Sequence, residues 1–465
     1  MESLSKIKAV ILGHAVADAL GVPAEFSYRE NLDKNPVTDM GGFGTHNVPQ
    51  GFWSDDTSMS IAALDSLGRG YLDYNEIMDN FVKWIRNAEY TPGGAVFDVG
   101  VTCINVLNEY MESGGADAVK CGHDGENSNG NGSLMRIHPF ALFMYYNGIA
   151  DEEHMHIIHD ASSMTHAHER AKVACGIYSF VLWELLSEPS FDSVIKGLDR
   201  AKAYYKDSPE LKTYSFLLDR IGREAVLRED ISSSGYVVDT IEAAFFALAS
   251  TKSYKECVLS AVNLGRDTDT VAAIAGGLAG ALYGYGSIPE DWLSKLARLD
   301  YLVGMCERAA DKWGKHPIKL KEPFDYDSIE RFVKAQELNY DMALSEITEG
   351  KKTSHWMWYI FPQIKGLGQS RLSVTYSIKN LGEAREYLAH PLLGERIREL
   401  ARVLLSKETS DPQEIFGGLD SLKLCSSMTL FALVSEEGSL FHRVIDKYFG
   451  GEMDDKTLML AVMAI

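Results

Sequence analysis

The feature that most constrains this chain is a pair of short acidic clusters that lie far apart in the sequence. The first is residues 53–57 (WSDDT) and the second is residues 267–270 (DTDT), and the only nearby cation is Arg266. If folding brought the clusters together unaided, two like charges about 4 Å apart would cost on the order of 4 kcal/mol at an effective dielectric of about 20. A helix N-terminus returns only about 0.3–1 kcal/mol per carboxylate. The pair therefore predicts bound divalent cations.

Each cluster has more than one interpretation when taken alone. An acidic pair directly after Ser54 is typical of the first turn of a helix, where serine caps free N–H groups and acids suit the helix dipole. Asp267 and Asp269 are two residues apart, so both carboxylates lie on one side of an extended or turn backbone, with the Thr270 hydroxyl beside them. Such all-oxygen ligands favour Mg²⁺ or Mn²⁺ over zinc.

An aspartyl phosphatase is the alternative for the second cluster, because that superfamily uses a DxDx[T/V] motif, in which Asp267 would be the nucleophile. The motif requires a buried hydrophobic strand directly before the first aspartate. Residues 261–266 (AVNLGR) are short, interrupted by polar groups and end in Gly-Arg. This alternative is therefore disfavoured.

Composition places the chain among ordinary soluble globular proteins. Its 465 residues exceed the size of a single core, so we expect two domains. The net charge of −21 argues against a nucleic-acid backbone as the main partner. The six cysteines form no CxxC pair, which indicates neither a disulfide framework nor a zinc ribbon and favours a reducing compartment.

Targeting signals are not evident. The first residues carry charges and no secretory pattern, and the apolar residues 271–286 are shorter than the roughly 20 needed to span a bilayer. We expect a cytoplasmic protein with no membrane partner and no strong general nucleic-acid binding.

Hydrophobic spacing of three to four residues predicts an all-α fold. Helical periodicity extends from Leu4 to about Glu307, and residues 271–286 fit a buried helix. Lysine and proline interrupt the pattern after Gly314, and helical periodicity returns at 332–347 and 381–405. We therefore predict a first domain over 1–313, a linker over 314–325 and a smaller helical domain over 326–465.

Two further motifs have ambiguous chemistry. Residues 130–136 (GNGSLMR) form a glycine-rich turn before a probable helix, which suits either a phosphate site or an ordinary loop. The five histidines between residues 154 and 168 lack the spacing of a zinc motif, so most are expected to be surface or satisfied core residues.

Taken in order, several motifs resemble the ADP-ribosylglycohydrolase family, which includes dinitrogenase-reductase-activating glycohydrolase. They are residues 19–25 (ALGVPAE), 53–59 (WSDDTSM), 98–100 (DVG), 130–136 (GNGSLMR), 165–166 (TH) and 265–273 (GRDTDTVAA). The resemblance implies an orthogonal helical domain that hydrolyses ADP-ribosylated substrates, with two Mg²⁺ or Mn²⁺ ions in an ADP-ribose cleft. Two departures are Ala17-Asp18, where the family often has Gly-Asp, and Gly265-Arg266, where it often has Gly-Gly; Arg266 could bear on specificity.

The resemblance also implies a role for each matching residue. The implied metal ligands are Ser54, Asp55 and Asp56 for one ion and Asp267 and Thr270 for the other, with Asp269 bridging. The implied substrate contacts are Gly130, Asn131, Gly132 and Ser133 on the diphosphate and His166 near the nucleotide. Cleavage at the anomeric carbon passes through an oxocarbenium-like state, which a carboxylate can stabilise or for which it can deprotonate water. Glu25 and Asp98 are the candidates for this acid/base work.

Residues 326–465 resemble a small helical bacterial family of unknown function. The match rests on residues 355–363 (HWMWYIFPQ) and 426–431 (SSMTLF). Three aromatic side chains in the first motif could stack on a base or ribose, although a core position is favoured. The C-terminal domain is therefore expected to recruit the target or to bind a nucleotide, and an ADP-ribose-binding protein without catalysis is the alternative for the first domain.

Overall fold

The computed structural model describes residues 2–115, 117–315, 319–320 and 327–463. The chain forms two compact units, Met1–Leu107 with Asp117–Lys321, and Asn108–Ala116 with Glu322–Ile465. The predicted all-α fold is confirmed. Within the described ranges the strands are β1 (Tyr71–Leu72) and β2 (Lys319–Leu320), which pair in parallel. Most of the predicted linker, 316–318 and 321–325, lies outside the described residues.

The first unit is a helical domain built around two buried helices. Its helices, including α5, which continues into the second unit, are α1 (Glu2–Gly21), α2 (Arg29–Lys34), α3 (Asp55–Leu67), α4 (Tyr74–Asn87), α5 (Val101–Glu112), α6 (His138–Tyr146), α7 (His156–Ser163), α8 (Glu169–Ser187), α9 (Phe191–Tyr204), α10 (Ser215–Asp219), α11 (Val237–Ala249), α12 (Tyr254–Val262), α13 (Thr268–Tyr283), α14 (Glu290–Lys295) and α15 (Leu299–Lys312). The predicted helix over 271–286 is thus α13, and it ends where Gly284 adopts a φ of 83°.

Small residues allow α1 and α13 to pack with their backbones almost in contact. A Cβ added at Gly280 would lie 1.9 Å from the Ala9 carbonyl oxygen, and one at Gly276 would lie 2.5 Å from the Gly13 carbonyl oxygen. Both helices are buried along most of their length, which explains why neither shows a polar face. Residues 2–24 are long and apolar enough to cross a membrane by length and composition, but 89% of their most apolar window is buried inside the protein.

The second unit has its own hydrophobic core. Its helices, apart from the end of α5, are α16 (Glu330–Glu349), α17 (Met357–Ile360), α18 (Arg371–Thr375), α19 (Leu381–Ala389), α20 (Pro391–Ser406), α21 (Pro412–Ala432), α22 (Leu440–Phe449) and α23 (Asp455–Met463). The helix predicted over 381–405 is divided into α19 and α20, because Pro391 begins a new helix with His390 as its cap. Trp356 and Tyr359 are fully buried in the core, so these two aromatics pack the unit and are not exposed for stacking on a base.

Residues 108–116 belong to the second unit although they lie within the first predicted domain. The Asn339 amide donates to the Met111 carbonyl oxygen at 3.1 Å, and the Tyr376 hydroxyl donates to the Ser113 carbonyl oxygen at 2.8 Å. Gly114 has a φ of 69° and sits against Ala335, so a larger residue would not fit there. A piece of chain distant in sequence therefore completes this core.

Candidate metal centre and active site

The first acidic cluster forms the N-terminus of α3. The Ser54 hydroxyl accepts from the backbone N–H of Asp56 at 3.3 Å and donates to its carboxylate at 2.9 Å, so the predicted helix cap is confirmed. Asp18 on α1 is not among the residues predicted from sequence to form the site. Its carboxylate accepts from the backbone N–H groups of Ser54 at 3.0 Å and Thr57 at 3.1 Å, and from the Thr57 hydroxyl at 2.6 Å. Asp18 therefore holds the start of α3 against α1.

Close packing of α1 on α13 brings the second cluster to the first. A Cβ added at Gly21 would lie 2.4 Å from the Asp269 Cα, and the Thr268 hydroxyl donates to the Gly21 carbonyl oxygen at 2.7 Å. The Thr270 hydroxyl donates to the Asp56 carboxylate at 3.2 Å. The two clusters that the sequence singled out are thus in direct contact.

The convergence creates two overlapping groups of carboxylates. In the first, Asp18, Asp56 and Asp269 place oxygens within 4.8 Å of one another, and in the second Glu25, Asp267 and Asp269 do the same. One oxygen of Asp56 and one of Asp269 are buried without a hydrogen-bond partner among the described residues. A buried carboxylate oxygen without a partner is costly, and a divalent cation would satisfy it. The residues present therefore fit hard divalent cations.

Burial dominates the electrostatics of these acids. It raises the pKa of Asp56 and of Asp269 well above the usual range, and the charges of neighbouring carboxylates add to the effect. Burial also raises the pKa of Asp18 to about 6, although hydrogen bonds from Thr57 and Ser54 act in the opposite direction. Burial thus opposes ionisation of these acids, and a bound cation would stabilise their charged form.

Asp55 and Asp98 meet at the edge of this pocket. The Asp55 carboxylate accepts from the Gly100 backbone N–H at 3.3 Å, and burial followed by the charge of Asp98 raises the pKa of Asp55. Among the described residues, Asp55 belongs to neither group of three carboxylates given above. The structure therefore places it beside residues 98–100, while Asp56 lies at the centre of the cluster.

Glu25 pairs with a histidine that the sequence analysis missed. His46 Nε2 contacts the Glu25 carboxylate, and Glu25, His46 and Asp98 place ligand atoms within 4.8 Å of one another. Burial raises the pKa of Glu25 to about 10, with the charges of Asp98 and Asp267 adding to it. No local sequence motif surrounds His46. Its contact with Glu25 becomes evident only when the loop that carries it is folded.

The glycine-rich loop touches the second cluster through Asn131. Its side-chain amide donates to the Asp267 carboxylate at 2.8 Å and to the Thr240 hydroxyl at 3.0 Å. Ser133 is fully buried, and its hydroxyl accepts from Ser162 at 2.9 Å. The helix expected directly after the loop begins only at His138, because residues 132–136 form turns.

His166 lies against the same loop. A Cβ added at Gly132 would lie 2.9 Å from the His166 ring, and one at Gly130 would lie 3.5 Å from it. The ring shares a hydrogen bond of 2.9 Å with the Thr165 hydroxyl, and burial lowers its pKa to about 3. The neighbouring histidines contact other groups, as expected: His159 bonds Tyr205 at 2.7 Å and His168 caps α8. All six cysteines are free.

Comparison with known proteins decides the identity of the first domain. Residues 1–318 match the ADP-ribosylglycohydrolase family. The chain belongs to this family. The chain is 34% identical over 312 residues to ADP-ribosylarginine hydrolase Tri1 of Serratia proteamaculans. The matched region covers 66% of this chain and 79% of that protein. It is 31% identical over 288 residues to ADP-ribosyl-dinitrogen reductase glycohydrolase of Rhodospirillum rubrum, and this match covers 61% of this chain and 88% of that protein.

A solved structure agrees with the family assignment. An ADP-ribosylglycohydrolase-related protein complex matches with 29% identity and a TM-score of 0.55, and covers 67% of this chain and 99% of that one. The ADP-ribosylglycohydrolase domain is thus an ADP-ribosyl glycohydrolase, as the sequence predicted. Residues 326–461 match the family DUF1810, of unknown function, which confirms the second resemblance.

The aspartyl-phosphatase alternative is wrong for this fold. Its nucleophile must follow a buried strand, whereas α12 ends at Val262 and Asp267 directly precedes α13. The Asp267 backbone N–H donates to the Ser233 carbonyl oxygen at 3.1 Å. This hydrogen bond joins two loops and is not part of a β-sheet.

Proposed function

We propose that the ADP-ribosylglycohydrolase domain removes ADP-ribose from arginine side chains with the aid of two divalent cations, Mg²⁺ or Mn²⁺. The acceptor follows from the name of the Serratia relative, an ADP-ribosylarginine hydrolase. The observation that carries the metal proposal is the pair of buried oxygens of Asp56 and Asp269 that lack hydrogen-bond partners among the described residues. Both belong to carboxylate groups with metal-ligand spacing.

The chain's own residues divide the work in this proposal. Asp18, Asp56, Asp267 and Asp269 would hold the cations, with the Ser54 and Thr270 hydroxyls as further oxygen ligands. When bound, such cations orient sugar hydroxyls and activate water. Asp55 is held by Gly100 beside the group and is the remaining candidate ligand.

Glu25 and Asp98 lie beside His46, and Glu25 also belongs to the second group of carboxylates. In the reaction, water adds to the anomeric carbon of the distal ribose, the bond from that carbon to the arginine nitrogen breaks, and the leaving nitrogen takes up a proton. A carboxylate at the anomeric carbon can stabilise the oxocarbenium-like state and accept the proton of water. We assign this work to Glu25 and Asp98. Glu25→Gln and Asp98→Asn variants, compared by kcat on the same substrate, would show which of them dominates.

The proposed substrate contacts lie beside the second cluster. The Asn131 side-chain amide donates to Asp267, and Gly132 leaves space only for a hydrogen beside His166. Backbone N–H groups of such a loop suit the diphosphate. The Ser133 hydroxyl is occupied by Ser162 and is buried, so we expect it to support the loop through packing.

The metal proposal is tested by replacing the two aspartates with unpartnered oxygens. Asp56→Asn and Asp269→Asn should lower turnover of an ADP-ribosylarginine peptide by at least about 100-fold, since even groups that only support metal ligands cost about 10–100-fold. Asp192→Asn is the matched control, because Asp192 is an exposed acid in the first turn of α9. Unchanged turnover in folded Asp56 and Asp269 variants would refute the metal centre.

One further hypothesis concerns the second unit. For the second unit, recruitment of the target or binding of a nucleotide stays a prediction. Its test should use a fragment that keeps residues 108–116 with 327–463, because Met111 and Ser113 accept hydrogen bonds from that unit's core.

A further inference from the structure

Three aromatic rings surround the edge of the active site at Glu25 and Asp98. Phe26 directly follows Glu25, and Phe97 directly precedes Asp98. The His46 ring lies between them, with ring centroids 6.0 Å from Phe26 and 5.3 Å from Phe97. We call Phe26, His46 and Phe97 the aromatic collar.

The Phe26 side chain is exposed to solvent, and its backbone conformation is strained. It is 64% exposed, and its backbone has a φ of 62°, which a bulky side chain rarely adopts. The conformation is held by hydrogen bonds from the Phe26 N–H to the Arg266 carbonyl oxygen at 2.6 Å and from the Arg266 N–H to the Ser27 carbonyl oxygen at 2.7 Å. Such strain costs on the order of 1–3 kcal/mol and is concentrated at functional sites. Glycine would adopt this conformation without that cost.

The loop that carries His46 is fixed to the Glu25 segment. The Thr45 hydroxyl donates to the Glu25 carbonyl oxygen at 2.6 Å, and a Cβ at Gly44 would lie 2.0 Å from the Pro23 carbonyl oxygen. Phe43 at the start of this loop is also 62% exposed with a φ of 66°. The collar is therefore a built structure beside the acids.

The acids beside the collar indicate what it binds. Glu25, His46 and Asp98 bring polar atoms within 4.8 Å of one another, so two carboxylates lie at the base of the collar. A planar cation gains from both features, because guanidinium groups stack on aromatic rings and pair with carboxylates. A neutral acceptor would gain little from this combination.

We propose that the aromatic collar is the acceptor subsite, in which the guanidinium of the modified arginine stacks on Phe26 and donates hydrogen bonds to Glu25 and Asp98. This inference rests on the proposed function and adds the residues that select the acceptor. It makes Phe26 a specificity-determining residue that contacts the leaving group and not the ADP-ribose part.

The test separates acceptor binding from ADP-ribose binding. In Phe26→Ala, KM for an ADP-ribosylarginine peptide should rise by about 3- to 30-fold, the effect expected for loss of one cation–π contact. The inhibition constant of ADP-ribose, which lacks the acceptor, should not change. Phe26→Tyr should restore KM, and Leu227→Ala, which truncates another exposed apolar side chain of the same unit, should have no effect. An unchanged KM, or equal rises in KM and in the ADP-ribose inhibition constant, would overturn the inference.

A measurement without turnover distinguishes failure of the collar from failure of the proposed function. Nα-acetyl-arginine methylamide is added to the full chain saturated with ADP-ribose, and saturation-transfer NMR reports its contact. A signal in the wild type that is lost in Phe26→Ala supports the collar, whereas absence of a wild-type signal, or a signal that Phe26→Ala retains, overturns it. Failure of the wild type to cleave the arginine-linked substrate contradicts only the proposed function.

Discussion

Single buried residues determine how this active site is assembled. Asp18 is a fully buried acid in the long buried part of helix α1, and its carboxylate accepts from three donors at the start of α3. A buried charge without partners would be strongly unfavourable, so an isolated aspartate in such a helix is itself a signal of a hydrogen-bonded site. The first acidic cluster depends on this residue for its position.

Loss of Asp18 should therefore impair both stability and activity. Asp18→Ala leaves buried N–H groups of Ser54 and Thr57 without their acceptor, at a cost of about 1–3 kcal/mol per unsatisfied group. Urea unfolding measures this loss, and kcat measures the displacement of the acids that follow Ser54. The control is Asp73→Ala, which removes the cap of α4 and should cost about 1 kcal/mol without lowering kcat. Wild-type kcat in Asp18→Ala would contradict the assigned role.

Glu346 is a comparable residue in the second unit, with the opposite pKa shift. Burial alone would raise its pKa, but hydrogen bonds from Ser354 and Thr353 outweigh burial and lower the pKa to about 2. The Trp356 indole N–H also donates to this carboxylate, at 2.8 Å. The ionised carboxylate thus anchors the loop that leads into α17.

This shift predicts a pH-dependent stability. A carboxylate with a lowered folded-state pKa contributes stability above its unfolded pKa, which is about 4.3, and loses that contribution as the pH falls toward 2. The stability difference between the wild type and Glu346→Gln should therefore be constant near pH 7 and shrink below about pH 4. Thermal unfolding across this range measures it, with Glu349→Gln, an exposed acid of the same helix, as control. A difference that is independent of pH would contradict the assignment.

At the scale of elements, the contact between α1 and α13 determines the site. Gly276 and Gly280 face Gly13 and Ala9 so closely that the two backbones touch. The same packing brings the start of α13 against Gly21 at the end of α1. Any separation of these helices would therefore move Asp269 away from Asp18 and Asp56.

Enlarging a glycine in this contact should be costly. In Gly280→Ala the new Cβ would lie 1.9 Å from the Ala9 carbonyl oxygen, so the helices must separate. We expect a loss of about 1–3 kcal/mol, the usual cost of overpacking, together with reduced turnover. The control is Gly304→Ala, because a Cβ at Gly304 in α15 meets nothing within 4 Å and should add about 0.4–1 kcal/mol. Equal melting temperatures of the two variants would refute this account of the packing.

At the scale of the whole molecule, the first unit concentrates buried carboxylates in a chain whose net charge is already −21. Folding must therefore bring like charges together, which opposes stability unless cations bind. Metal binding and folding should be thermodynamically coupled in this protein.

Cations should raise the melting temperature of the full chain. At a Mg²⁺ or Mn²⁺ concentration of about 100 times Kd, the expected stabilisation is about 2.7 kcal/mol. A chelator should remove it, and Asp56→Asn and Asp269→Asn should show little response to metal. Asp192→Asn should respond like the wild type. Equal responses of all four proteins would exclude these aspartates as ligands, whatever the activity.

The sequence by itself determined the local elements and the chemistry of the first domain. Hydrophobic periodicity predicted an all-α fold, and the ordered motifs led to the family and to an ADP-ribosyl glycohydrolase. The contact between Thr270 and Asp56 is the convergence that the two acidic clusters predicted. These features are encoded in residue spacing or in residue type, which are visible without coordinates.

Tertiary structure alone decided which distant residues complete each site and core. No local sequence signal marks His46 or the association of residues 108–116 with the second unit, and none identifies the partners of Asp18 on α3. Their positions depend on helix packing and on loops with unusual φ values, such as that of Phe26. Local periodicity reports the environment of each residue within its own element, whereas contacts between elements depend on how the whole chain packs.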